Sequence, residues 1–433
     1  MRRIGLAMLA AWLAWPAAVS AHDVPDLVKV TVFFKPENGR LRMLVRVPSN
    51  AFIDFQFPIL DATWLALSES EAIAAEAAKV WVADRLSLFE NGIALPKPAI
   101  VTTRISRMND PFFGSFDDAL IHTSGPRLPA DALVTQDQGV VDVLLEVPIT
   151  SANSHFSYEP RFGRLGVLVN STVTFVRPDG QLRTFQFEGD PETFDLDPIR
   201  HDALTHFMRT GVAHFARDDG YLLAALCVGL IFVGRVAPML PFALLLAAIE
   251  ALTLMACVRW TPSAPWIPPL CGVLTAAAVA YFGTEAIVGG DGSRMGVGVG
   301  VGAGLIFGVS FWSGVQPLLQ YAGEHPIAAG FGFAVGVGGS QLLALALAAA
   351  LVNGALRVSR APRAIVIITA AVVIHVSWRR MMDRTGALTL VPFDLPRYAG
   401  PVVFAGLAVV LLLWLTFAYA GRGQSPRENR TAA

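Results

Sequence analysis

Seven apolar stretches in the second half of the chain, at 220–237, 238–258, 266–288, 295–319, 327–352, 364–378 and 399–420, constrain the fold more than any other feature. A helix needs about 20 residues to cross about 30 Å of hydrocarbon, and most of these runs qualify, the first and sixth being short. In lipid the backbone must satisfy its own hydrogen bonds, so the runs predict a polytopic helical bundle of about seven transmembrane helices over 206–420. Charge supports the division. Residues 22–219 hold 18 basic and 27 acidic side chains, whereas 220–433 hold 13 Arg, no Lys and 7 acids. Two environments are implied. No basic stripe suggests a nucleic-acid partner.

The N-terminus reads as an address. Arg2 and Arg3 precede an apolar run from Ile4 to Trp15, and small residues end at Val19-Ser20-Ala21. These are the charged, apolar and cleavage-site regions of a secretory signal peptide, 1–21. Residues 22–205 are then an exported, periplasmic domain on a bacterial inner membrane protein. Seven crossings leave the tail, 421–433, in the cytoplasm. Eight arginines fall in the expected inner loops and tail and five in the outer loops, which has the sign of the positive-inside rule. Cys227, Cys257 and Cys271 all lie in apolar segments, so no disulfide framework is expected.

The exported part reads as β. Val28, Val30, Val32 and Phe34 alternate with other residues, and alternation resumes with Met43, Val45 and Val47 beyond Asn38-Gly39. Asn-Gly between alternating runs signals a hairpin, because both residues tolerate positive φ. A second hairpin is expected around Pro178-Asp179-Gly180, a further strand at 140–147, and one helix from a Ser68–Glu71 capping box to about Asp84. The fold class is therefore an α+β membrane protein, a β-sandwich-like domain followed by a helical bundle.

In the fourth apolar run, Gly296, Gly300, Gly304 and Gly308 recur every four residues and predict a ridge for close helix packing, with Gly332 and Gly336 as the facing surface. Ionisable groups in such spans are the functional candidates, because a charge at the bilayer centre costs about 2.5–3.5 kcal/mol unless compensated. Glu250 lies mid-span, with Glu285, His375 and Gln341 as its potential partners in a cation or proton site. A protonated carboxyl bonded to a neighbouring helix is the structural alternative. His22, the expected mature N-terminus, is a weak candidate for copper or nickel with His122 or His155, since imidazole suits those metals.

Phe207-Met-Arg-Thr-Gly211-Val-Ala-His214, just before the first apolar run, resembles the HupE/UreJ family, in the branch with an exported N-terminal domain. The family pattern is Gly-x-x-His followed by an Asp-His pair. Gly211 and His214 match, and Asp219 stands for the acid without its His. Glu250-Ala-Leu-Thr253-Leu254 resembles a His-Ser-Leu-Thr-Leu segment, and Glu285 a Glu of the third helix. Phe307-Gly308 through Trp312 keeps a Phe-Gly frame without its His. Phe333 to Gln341 resembles Phe-Asn-x-Gly-Val-Glu-x-Gly-Gln, and Trp378 with Arg379 and Arg380 resembles the close of the sixth helix. The resemblance implies divalent cation transport of the nickel or cobalt type, with the metal as substrate. The polar members are largely replaced, so the implied site is remodelled around Glu250, Glu285, His214 and Asp219. The alternative is a non-transporting anchor that presents the exported domain to a periplasmic protein or a metal ligand. No nucleophile–base pair is visible, and no enzyme is expected.

Overall fold

The computed structural model describes residues 25–288 and 295–392, in two compact units that divide between Asp197 and Pro198. His22, the signal segment, the seventh apolar run at 399–420 and the tail at 421–433 lie outside the described residues.

The N-terminal unit is β-rich. Its strands are β1 (Leu27–Glu37), β2 (Arg40–Pro48), β3 (Ile59–Leu60), β4 (Trp64–Leu65), β5 (Leu86–Glu90), β6 (Ile93–Ala94), β7 (Ala99–Arg107), β8 (Gly139–Pro148), β9 (Phe156–Pro160), β10 (Leu168–Val176), β11 (Leu182–Glu188) and β12 (Phe194–Asp195). One sheet runs β11-β10-β1-β2-β8-β7, with β1 and β10 parallel and the other neighbours antiparallel. A second runs β12-β9-β5-β6, and β3 pairs with β4. Asn38 and Gly39 form the expected tight turn at φ 52° and 72°, and β10 and β11 form the hairpin around Asp179-Gly180. Aromatic rings join the two larger sheets. Phe34 of β1 meets Tyr158 of β9 edge-on at 4.9 Å, and Phe156 of β9 lies 6.3 Å from Phe175 of β10.

Helix α1 (Leu67–Trp81) starts earlier than its sequence suggests, with Ala66 at the cap and no side-chain capping bond. Ser68 lies inside the first turn. Glu71 is turned inward instead, accepting the Ile105 backbone N–H at 3.3 Å, and burial pushes its carboxyl above the usual range. A second helix, α2 (Phe116–Ser124), has no counterpart among the sequence expectations. Ser115 caps it, its Oγ accepting the Asp118 N–H at 3.2 Å.

Beneath α2 lies a charged cluster. The Asp142 carboxylate, fully buried on β8, accepts two bonds from Arg46 of β2 at 2.7 and 2.9 Å. His122 of α2 places Nε2 3.0 Å from Ser106 Oγ and 3.6 Å from Asp142 Oδ2, its ring stacked on Phe112. Burial first, then the Arg104 guanidinium, push the His122 imidazole below its ordinary pKa, while Asp142 and Asp110 pull it partly back. The unfolded chain therefore takes up this proton at higher pH than the folded one. The contribution is complete above the unfolded value of about 6.5 and is lost as pH falls through it toward the folded value. We expect the thermal midpoint of this unit to fall between about pH 7 and pH 5 more steeply than in His122→Asn. Glu71 slopes the other way in both proteins and cancels in the difference. Parallel pH profiles would refute the assignment.

The second unit is helical: α3 (Arg200–Arg217), α4 (Asp219–Ile231), α5 (Val236–Trp260), α6 (Ile267–Val288), α7 (Val297–Val315), α8 (Pro326–Val358) and α9 (Pro362–Thr389). Among the described residues five helices are long and apolar enough to cross a membrane, from α5 to α9. The first expected span is only the 13-residue α4, about 20 Å long and short of the hydrocarbon thickness. It stops because Gly234, at φ 71°, turns the chain and donates its N–H to Asn353 Oδ1 at 2.8 Å. The sixth run, apolar only over 364–378, continues as helix through its arginines to Thr389.

Helix α3 is an addition to the expected bundle. It is polar overall but buries Ala203, Phe207, Gly211 and Phe215, a four-residue stripe on one face. It packs along α8, while α5 packs along α7 and α6 along α9. The glycine ridge on α7 packs, but against α5 rather than α8. A Cβ on Gly304 would lie 2.7 Å from Ile249 Cβ, and one on Gly308 2.6 Å from Thr253 Cβ. Gly296 precedes the helix and has nothing among the described residues within 4 Å of an added Cβ. Gly332 and Gly336 instead face Leu204 and Met208 of α3.

Candidate functional site

The apolar run around Glu250 places its carboxyl on the inner face of α5, where the side chain is buried. Gln341, at the middle of α8, reaches across and donates Nε2–H to Glu250 Oε1 at 3.1 Å. Two small residues flank the pair. Gly308 brings α7 against the Glu250 turn, where a Cβ would stand 2.9 Å from the Glu250 carbonyl oxygen. Ser340 turns its hydroxyl back onto the Gly336 carbonyl at 2.8 Å, so it does not compete for Glu250.

The pair is incompletely bonded. Glu250 Oε2 and Gln341 Oε1 are both buried, and among the described residues neither has a hydrogen-bond partner. Leaving a buried acceptor unsatisfied costs about 1–3 kcal/mol, and a bare buried carboxylate costs more. Beside Gln341 is a cavity of about 10 Å³, close to the size of one water, lined by Tyr221 of α4, Phe307 and Phe311 of α7 and Leu345 of α8. The Tyr221 hydroxyl lies 2.9 Å from Ser310 Oγ. Neither Tyr221 nor Ser310 is among the residues the sequence singles out. The one available signal is that Tyr221 follows Asp219-Gly220, beside the place of the family's Asp-His pair.

The other candidates separate. His214 of α3 fits over Gly314, where a Cβ would lie against the imidazole, and its ring packs 5.4 Å from Phe333 and 6.2 Å from Tyr221. It is one aromatic layer away from the Glu250 pair. Asp219 is exposed at the start of α4 and ion-pairs with Arg380 of α9. Glu285 is buried on α6 but hydrogen-bonds to neither Glu250 nor Gln341. His375 is exposed on α9, so it does not enter the site. Of the partners expected for Glu250, the structure selects Gln341. Among the described residues no three His, Cys, Asp or Glu side chains converge as a metal-holding group. His122 is engaged by Ser106, and His155 is exposed.

No curated protein matches the chain. A match to a known family begins at residue 192, just before α3, and ends at 382, within α9, so it contains both members of the buried pair. That family is described as HupE / UreJ protein, the one whose motifs the sequence resembles from Phe207 to Arg380, and residues 192–382 of the chain match it.

Proposed function

We propose that the chain is a HupE/UreJ-like transport protein of the inner membrane that moves a cation of the nickel or cobalt class through its helical unit. The observation that carries this reading is Glu250, an acid buried in an apolar helix and contacted by one amide, with an acceptor oxygen left over on each partner. Ionisable residues inside membrane helices are costly to insert, and they mark substrate and ion pathways and proton relays. Glu250 supplies the countercharge, Gln341 an amide oxygen, and His214 and Glu285 lie farther along the same helical unit. Two oxygens are fewer than a divalent ion requires, so the cation keeps part of its water shell. The signal-like N-terminus and the arginine asymmetry support a periplasmic β-rich unit and a cytoplasmic C-terminus.

The test is accumulation of nickel and cobalt in cells that express the full chain. Glu250→Gln, matched for the amount of protein in the membrane, is expected to abolish uptake. Asp219→Asn, which alters an exposed ion pair with Arg380 rather than the buried pair, is expected to retain it. Unchanged uptake in Glu250→Gln would overturn the reading. It would favour a membrane anchor for the N-terminal unit, which has its own buried aromatic core of Phe34, Phe156, Tyr158 and Phe185.

A further inference from the structure

The Glu250–Gln341 pair has a donor deficit. Gln341 Nε2 supplies one bond, to Glu250 Oε1, and among the described residues Glu250 Oε2 and Gln341 Oε1 are left as two buried acceptors without a hydrogen-bond partner. Acceptors do not bond to each other. Among the described residues the surroundings offer no positive charge either. Helix α7, packed along α5, carries no ionisable residue, and the only one on α8 is Arg357, sixteen residues beyond Gln341 and about 24 Å along the helix. On α5 itself the other ionisable groups are Cys257 and Arg259, toward its C-terminal end. From α4 comes Tyr221, whose hydroxyl is engaged with Ser310; from α6 come Cys271 and Glu285; from α3 comes His214, behind Tyr221. None of these hydrogen-bonds to the carboxyl.

One proton resolves the deficit. Placed on Glu250 Oε2, it makes that oxygen a donor to Gln341 Oε1, satisfies both atoms and removes the buried charge. A cation between the same two oxygens is another way to satisfy them, whereas a water in the small cavity beside Gln341 would donate to them but leave a carboxylate's charge buried. The two occupants need the same atoms, so they exclude each other. We infer that Glu250 rests as a carboxylic acid with its O–H donated to Gln341, and that a cation enters only by displacing that proton. Binding converts –COOH and M²⁺ to –COO⁻·M²⁺ and one H⁺, which passes to water, so charge and atoms balance. The exchange step rests on the transport reading above; the resting acid does not.

Infrared difference spectroscopy of the full-length protein in lipid bilayers tests both parts, with nickel ion as the probe. At neutral pH we expect a carbonyl band of a protonated carboxylic acid. It should shift in protein carrying ¹³C-labelled glutamate, vanish in Glu250→Gln and move to higher frequency in Gln341→Leu, where the hydrogen bonds are lost. Nickel should diminish the band and release one proton per ion bound, measured with a pH dye. The isotope shift needs no variant, so even if either replacement misfolds, absence of the shifted band still decides against the resting acid. Absence of an isotope-sensitive carboxylic-acid band would overturn the resting acid. A band that persists while nickel binds without proton release would overturn the exchange, and loss of uptake in Glu250→Gln alongside that result would leave the transport reading standing. Unchanged uptake in that variant would overturn the transport reading whatever the infrared result.

Discussion

Replacing Asp142 with alanine is expected to destabilise the N-terminal unit by about 3–5 kcal/mol, the range for breaking a buried ion pair by removing one partner. A domain's whole stability is about 5–15 kcal/mol, so the variant would sit near the threshold of folding. The reason lies in what stays behind. Arg46 is held by both oxygens of a carboxylate with no exposed surface, donates to the Asp110 carbonyl at 3.1 Å and lies 4.0 Å from the Phe113 ring. Without Asp142 the guanidinium keeps its burial and loses its countercharge. The double variant Arg46→Met with Asp142→Leu removes both charges and is expected to recover most of the loss. The measurement is protease resistance of residues 25–197 in the full-length protein as denaturant is raised. Arg40→Ala provides the contrast. Arg40 also pairs with a carboxylate, Glu146, but is 61% exposed, and its loss is expected to cost under about 1 kcal/mol. Equal effects of Asp142→Ala and Arg40→Ala would contradict this account.

Parts of this architecture are legible in the sequence because they are local. Asn38-Gly39 encodes its turn by backbone conformation alone, and the long apolar runs encode helices because lipid leaves the backbone no alternative. The position of Glu250 in an apolar run is likewise enough to mark it. Its partner is not legible. Gln341, Glu285 and His375 are all polar groups in apolar segments, and the choice among them depends on which faces of α5, α6, α8 and α9 meet. Glu250 and its partner are 91 positions apart, and hydropathy has no register for that. The Arg46–Asp142–His122 cluster escapes for the same reason, being assembled from β2, β8 and α2. Ser68 shows the reverse error. Its capping-box spacing is present, but burying Glu71 against β7 moves the helix start and leaves the local motif unused. Helix α3 escapes a search for apolar runs because it is polar on average, and its signal is the stripe Ala203, Phe207, Gly211, Phe215. Without α3, Gly332 and Gly336 have no visible partner but the ridge on α7, which is the wrong one.

The true partner can be tested within one helix. A Cβ on Gly336 would lie against the Met208 carbonyl oxygen and 3.0 Å from the Val212 nitrogen, and one on Gly332 against the Leu204 oxygen. The opposing surface returns the constraint, since a Cβ on Gly211 would meet the Phe333 oxygen and lie 3.1 Å from the Val337 nitrogen. All of these are backbone atoms, so no rotamer change makes room and the two helices must separate. In a membrane, close packing rather than hydrophobic transfer holds helices together, so separation removes the attraction itself. Gly336→Leu is therefore expected to cost at least about 3 kcal/mol, beyond ordinary overpacking, and to abolish a monodisperse detergent-solubilised protein. Gly338 and Gly339 lie on the same helix with nothing among the described residues within 4 Å of an added Cβ. There alanine meets only the intrinsic preference for helix, a gain of up to about 1 kcal/mol. Thermal stability by fluorescence-detected size exclusion should thus fall sharply for Gly336→Leu and hold or rise for Gly338→Ala and Gly339→Ala. Gly336→Ala should fall between them, because even one methyl collides with backbone. If Gly336→Ala were as stable as Gly338→Ala, α3 would not pack on α8 through these glycines, and the stripe on α3 would need another surface to cover it.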